Sequence, residues 1–382
     1  MLIQNAHLVT PNRTIISGWV EIHDAKIAAI GEGPPPANSE QTIDARSQTL
    51  LPGFIDLHVH GGVGHEAMDA RVESLRQLSA FYARHGVTAF LPTTWTAPHE
   101  QIMAALRAIQ PFVNQPLDGA TIVGAHAEGP YLNPEKCGAQ DARQIRQAQP
   151  DEANELLDMG IIRLLALAPE YETNHWLIEA CKQRGITVSA AHTAATYADI
   201  ENAVRLGLHQ ATHTFNAMTG LHHREPGTVG AVLTLPEIAC EVITDGIHVH
   251  PAAVKLLFMA KGVDRTIVIT DAVRGAGLAE GTRYEQDARE VVIRNDSAYL
   301  PDGTLAGSTL TMDRAVRNFL AFTGTQLQDV WPVFSLNAAR AIRVDDRKGS
   351  IQVGKDADCV LVDNAMNVLL TIVEGRVVHS AL

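Results

Sequence analysis

Two imidazoles one residue apart close an apolar run in this sequence. His58 and His60 end the stretch GFIDLHVH at 53–60, and Gly61 and Gly62 follow at once. In an extended chain, residues two apart point to the same side, about 6.5 Å apart along the strand. That spacing suits two ligands of one metal ion. Other apolar runs end in similar side chains. Glu128 closes TIVGAHAEG, His192 lies in TVSAAHT, His213 in ATHTFNAM and Asp271 in RTIVITDA, while Asp245 and His248 follow the run ACEVIT. Imidazole and carboxylate together suit a borderline divalent ion such as zinc or iron. A lone histidine at a strand end is ordinarily a polar cap. Four histidines, a glutamate and an aspartate at equivalent strand ends point instead to a metal centre, provided those ends share one face.

A parallel barrel supplies such a face. Eight apolar runs, starting at residues 54, 88, 121, 161, 187, 211, 239 and 265, read as strands. Helical stretches such as RVESLRQLSAFYARHG, PHEQIMAALRAIQPFV and ADIENAVRLG alternate with them. Continuous apolar runs mark buried parallel strands, and strand–helix alternation marks a parallel sheet. In a (β/α)₈ barrel the C-terminal strand ends open onto the functional face. The expected fold class is therefore α/β: a (β/α)₈ TIM-like barrel over 52–347, with a small β-sandwich domain built from both chain ends, 1–51 plus 348–382. Each end reads as short strands separated by turns such as GEGPPPANSE at 31–40, and neither is long enough to build its own core. His126 points the same way as Glu128 and is expected beside the ligands. His7, His23, His99, His175 and His379 are expected at the surface. Gly61 and Gly62 are expected to let the chain pass close to the site.

The totals agree with this plan. A barrel of about 250 residues plus a smaller unit accounts for 382 residues. The hydrophobic fraction of 46% and charged fraction of 19% are globular values. A net charge of −13 argues against nucleic acid or an anionic membrane as partner. Cys137, Cys181, Cys240 and Cys359 are far apart and read as free thiols of a reducing compartment. The start, MLIQNAHLVTPNRTI, lacks a signal-peptide pattern, and no run approaches the roughly 18 apolar residues of a membrane span. The expected location is cytoplasmic.

From LPGFIDLHVHGG to GSIQVGKDADCVLVD the chain resembles the amidohydrolase superfamily and, within it, the N-acetylglucosamine-6-phosphate deacetylases. The opening motif alone marks only the superfamily. The narrower likeness rests on HAEGPYLNPEKCGAQ from 126, AAHTAATY from 190, ATHTFNAMTGLHHREPGTVGA from 211, DGIHVHP from 245, VITDAVRGAG from 268 and LAGSTLTM from 305.

The resemblance implies metal ligands at Glu128, His192 and His213, and the catalytic acid/base at Asp271. It implies substrate contacts at Ala139, Gln140, Asn216, Ala217, Arg224, His248 and the stretch Leu305, Ala306 and Gly307. Some members lack the paired histidines and hold a single ion. This chain keeps His58 and His60, so a second ion can sit between them, Glu128 and Asp271, with Glu128 bridging. Gln140 stands where some members carry a histidine. The cofactor implied is one or two divalent ions per subunit, zinc first, with iron, cobalt or manganese as alternatives. In TGLHHREPG, Arg224 can grip a phosphate bidentately, with His222 and His223 beside it. A homodimer or dimer of dimers is implied, with this loop reaching the neighbour's site.

The implied reaction is hydrolysis of the N-acetyl group of N-acetylglucosamine 6-phosphate to glucosamine 6-phosphate and acetate. The nearest alternative is the galactosamine epimer, because MTGLHHREPG also resembles galactosamine-specific relatives. A cyclic-amide hydrolase often uses a lysine after strand four, and LLALAPE has none. A catalytically inactive barrel would have lost ligands or Asp271, and none is lost.

Overall fold

The computed structural model describes residues 1–36, 41–286 and 289–382; the last four residues of GEGPPPANSE lie outside the described residues. At its centre run eight parallel strands: β1 (Phe54–Val59), β2 (Val87–Thr94), β3 (Ala125–Glu128), β4 (Ile162–Leu167), β5 (Thr187–Ala190), β6 (Leu208–Ala211), β7 (Ala239–Ile243) and β8 (Thr266–Ile269). Each pairs in parallel with the next. The chain just past β8 closes the ring: Asp271 N–H donates to His58 O at 2.9 Å and His60 N–H to Ala272 O at 2.8 Å. All six residues of β1 and all eight of β2 are buried, as continuous apolar runs require.

Helices α1 (Val72–Arg84), α2 (His99–Ile109), α3 (Pro150–Asp158), α4 (His175–Gln183), α5 (Tyr197–Leu206), α6 (Gly227–Thr234), α7 (Pro251–Lys261) and α8 (Met312–Thr323) accompany the strands. In α1, Leu75, Leu78, Phe81 and Tyr82 are buried at helical spacing. Each such side chain contributes about 1.5–3 kcal/mol by leaving water. No helix among the described residues is long and apolar enough to cross a membrane.

The run expected to begin a strand at 211 does not. The strand ends at Ala211, and the following residues form turns. His213, Phe215 and Ala217 take positive φ of 31°, 84° and 52°, which a strand cannot accommodate. The third run is divided at Gly124, with Thr121–Ile122 preceding β3 as a separate short strand.

Both chain ends form one eight-stranded sheet. Its order runs Arg376–Ser380, Val368–Val373, Cys359–Val362, Thr49–Pro52, Leu2–Val9, Thr14–His23 and Lys26–Glu32, with Thr42–Asp44 beside Leu2–Val9. Ile3, Leu8, Val20, Leu50, Leu361 and Ile372 build a core of its own, drawn from both ends. A third element follows β8: a four-stranded antiparallel sheet of Arg283–Gln286, Arg289–Arg294, Ser297–Tyr299 and Leu305–Ser308.

Candidate active site

The strand ends bring the polar residues together. His58 lies in β1, His60 just beyond it, and Glu128 ends β3. His192, His213 and Asp271 each lie two residues past the ends of β5, β6 and β8. All three have left-handed backbone, with φ of 44°, 31° and 50°. Such conformations cost about 1–3 kcal/mol each and persist where the surroundings over-determine them. Here they turn three separate loops toward one point.

Two donor groups result: Glu128, His192 and His213, and His58, His60 and Asp271. In the first, Glu128 Oε1 lies 3.2 Å from His192 Nε2 and 3.0 Å from His213 Nε2, with the two nitrogens 3.2 Å apart. In the second, the Nε2 atoms of His58 and His60 are 3.1 Å apart and lie 3.5 and 3.4 Å from Asp271 Oδ1. Glu128 joins the groups, its Oε2 lying 3.6 Å from His58 Nε2 and 3.3 Å from His60 Nε2. Tetrahedral bonds of about 2.0–2.1 Å to a metal set its donors about 3.3 Å apart. The donor types and spacings therefore fit divalent ions, with one carboxylate oxygen turned to each group.

The backs of the rings are held as well. His192 Nδ1 faces Lys136 O at 2.8 Å and His60 Nδ1 faces Thr93 O at 3.3 Å. Those contacts leave Nε2 for the site, the arrangement that orients metal-binding imidazoles. Burial opposes charge on His58, His60, Glu128 and Asp271, yet their neighbours overrule it. The charges of His58 and His60 and a bond from His60 draw the Asp271 carboxyl down to about 2. His58 and contacts from His192 and His213 hold Glu128 well below the usual carboxylate range. Asp271 and Glu128 hold His60 up at about 9. His126, expected beside the ligands, packs edge-on against His58 with ring centroids 4.6 Å apart, and burial keeps its pKa well below the usual value.

His60, Glu128, His192, His213 and Asp271 floor a cavity of about 190 Å³, and His58 is buried beneath them. Asn216 and Ala217 line it from the turns after β6, His248 from the loop after β7, and Ala139 and Gln140 from the loop after β3. Leu305, Ala306 and Gly307 line it from the antiparallel sheet. Gly307 has φ 82°, and a Cβ there would meet Val273 Cγ1 at 2.3 Å, so only glycine suits this wall. His248 Nδ1 binds Asp245 Oδ2 at 2.6 Å. Gln140 is held at both ends of its amide: Oε1 accepts from Thr96 N–H and Nε2 donates to Glu128 Oε2, each at 2.7 Å. Gln140 thus steadies the shared carboxylate.

His222, His223 and Arg224 are exposed and do not line this cavity within one chain. Arg224 Nη1 contacts His223 Nε2 at 2.7 Å. His7, His99, His175 and His379 are half-buried rather than at the surface, and His23 is exposed. Gly61 is tight against His65 and Arg274, not against the donors: a Cβ there would lie 2.4 Å from His65 O and 2.7 Å from Arg274 N, and its φ is not left-handed.

Trp95, Val273, Gln286 and Thr304 also line the cavity and were not foreseen. Trp95 follows β2 directly, so the strand-end rule could have found it. Gln286 sits in the added sheet and carries no such signal.

The pattern of the amidohydrolase family matches residues 49–378. A curated N-acetylglucosamine-6-phosphate deacetylase of Bacillus subtilis is 39% identical, covering 99% of this chain and 96% of its own. An N-acetylgalactosamine-6-phosphate deacetylase of Escherichia coli O157:H7 is 38% identical, covering 97% and 98%. Among solved structures, a mutant N-acetyl-D-glucosamine-6-phosphate deacetylase of Mycobacterium smegmatis, in complex with N-acetyl-D-glucosamine-6-phosphate, superposes with a TM-score of 0.93 at 29% identity, covering 100% and 99%.

Proposed function

The chain belongs to the amidohydrolase family, and from that premise we propose that it is a metal-dependent deacetylase of N-acetylglucosamine 6-phosphate. It hydrolyses the N-acetyl amide, releasing acetate and glucosamine 6-phosphate. The observation that carries the reading is the pair of donor groups meeting at Glu128, with five of the six donors lining the cavity.

We assign the Glu128, His192 and His213 group to one ion and the His58, His60 and Asp271 group to a second, with Glu128 between them. Zinc suits these nitrogen and oxygen donors best, ahead of iron, cobalt or manganese. A bound divalent ion lowers the pKa of its water toward about 7 and polarises a carbonyl oxygen. Asp271, ionised at neutral pH, takes the proton of the attacking water. It then delivers that proton to the sugar nitrogen as the C–N bond breaks, giving acetic acid and the amine; the water's second proton, left on the acid, passes to the amine, so that the products are acetate and an ammonium group. A positioned acid/base of this kind contributes about 10²–10⁴-fold. His248, with Nδ1 fixed by Asp245, has Nε2 left to stabilise the carbonyl oxygen. Gln140 is already engaged with Glu128 and is assigned to holding that carboxylate.

We assign Arg224, with His222 and His223, to the phosphate of substrate bound in the neighbouring subunit of a homodimer. Their exposure outside the cavity of their own chain supports this assignment. The free cysteines support a reducing, cytoplasmic setting.

The test is direct. Zinc-loaded protein incubated with N-acetylglucosamine 6-phosphate should produce one primary amine for each acetate. A preparation binding metal but producing neither would contradict the reading.

A further inference from the structure

Among the six donors, His58 alone has no exposure at all, and its ring back faces a side chain rather than a backbone carbonyl. That side chain is Glu241 of β7, a charged residue in the otherwise apolar run ACEVI and itself fully buried. Its Oε2 lies 3.6 Å from His58 Nδ1. Both atoms are buried, and neither has a hydrogen-bond partner among the described residues; they face each other as an ion-pair contact. The other oxygen, Oε1, accepts from Gln210 Nε2 at 2.5 Å, and Gln210 in β6 is buried too. His126 packs edge-on against the same imidazole and limits its rotation.

A buried carboxylate is costly unless its oxygens are hydrogen-bonded. Here one oxygen is satisfied by Gln210 and the other has only His58 to face. We propose that Glu241 is a positioning residue for the second ion. It accepts a hydrogen bond from His58 Nδ1–H, which selects the tautomer whose Nε2 lone pair faces His60, Glu128 and Asp271. The carboxylate–histidine pair thereby sets whether this barrel holds one ion or two. The inference rests on the reading of His58 and His60 as ligands of a second ion. Outer partners of this type typically change metal affinity by about 10–100-fold.

The experiment is a titration of the apo protein with zinc and with cobalt(II), followed by calorimetry and by the cobalt d–d absorption of each equivalent. Wild type is expected to bind two equivalents. Glu241→Leu should bind the first with unchanged affinity and the second about 10–100-fold more weakly, with an altered second cobalt spectrum. Glu241→Gln should recover most of the loss, because Gln210 can turn its amide and leave the new carbonyl to His58. Wild-type binding of two equivalents by Glu241→Leu would overturn the inference alone. A wild type that binds only one would overturn the second-ion reading beneath it. Should Glu241→Leu not fold, histidine ¹⁵N resonances of the zinc-loaded wild type decide. A hydrogen-bonded Nδ1–H on His58 is expected, and a proton on its Nε2 would overturn the proposal.

Discussion

Glu128 and His213 meet at 3.0 Å, Oε1 to Nε2, while the other oxygen of that carboxylate turns to the His58 and His60 side. One side chain therefore serves both donor groups. Glu128→Ala should strip metal from both, whereas His60→Ala should remove only the second equivalent. Metal analysis of the purified variants checks this. Equal losses in the two variants would break the link between Glu128 and a shared position.

Asp271 faces the same centre with a carboxyl held down at about 2. Asp271→Asn should keep the ion of the Glu128, His192 and His213 group and lose about 10²–10⁴-fold in kcat. Near-normal turnover would remove Asp271 from proton transfer.

His248 supplies a pH dependence. Burial pushes its pKa down, but the bond to Asp245 and the charges of Asp245 and Asp271 more than offset this and hold it above the usual histidine value. The protonated form is therefore fully present below about 6.5 and persists as pH rises, until pH passes the raised value. The stabilisation it lends to the fold is lost over that same interval. Asp245→Asn removes the raising partner. The kcat should then fall at lower pH than in wild type, because the charged imidazole that stabilises the carbonyl oxygen is lost earlier. Identical kcat–pH profiles would remove His248 from that role.

Arg224 is exposed in one chain. Losing a charge-assisted hydrogen bond of about 1.5–3 kcal/mol should raise the KM of Arg224→Ala for the phosphosugar about 10–100-fold. The KM for unphosphorylated N-acetylglucosamine should barely move. Equal effects on both sugars would exclude a phosphate contact.

Gly61 needs space rather than an unusual φ, because a Cβ would press on His65 O at 2.4 Å and Arg274 N at 2.7 Å. Both neighbours are backbone atoms. Gly61→Ala should cost about 1–3 kcal/mol, visible as a lowered Tm. An unchanged Tm would mean that the segment after β1 yields easily.

Much of this site could be read in advance because barrel chemistry collects at strand ends. His58, Glu128, His192, His213 and Asp271 each terminate or closely follow an apolar run, so a local pattern predicts a distant meeting. Glu241 was invisible to that rule, since it sits within a strand and its partner is 183 positions away in sequence, at His58. The antiparallel sheet over 283–308 was missed for another reason. Its REVVIR strand mixes charged and apolar residues with one face exposed, and so lacks the continuous run that marked the barrel strands. The Arg224 loop is expected from the resemblance to reach a neighbouring subunit, and within one chain His222, His223 and Arg224 are exposed and lie outside the cavity lining.

The most direct measurement is a competition. Zinc-loaded protein is given equal concentrations of N-acetylglucosamine 6-phosphate and N-acetylgalactosamine 6-phosphate, and both amine products are followed. Metal-dependent acetate release is expected, with glucosamine 6-phosphate as the dominant product. Dominance of galactosamine 6-phosphate would contradict the substrate assignment, and no acetate from either sugar would contradict the deacetylase itself.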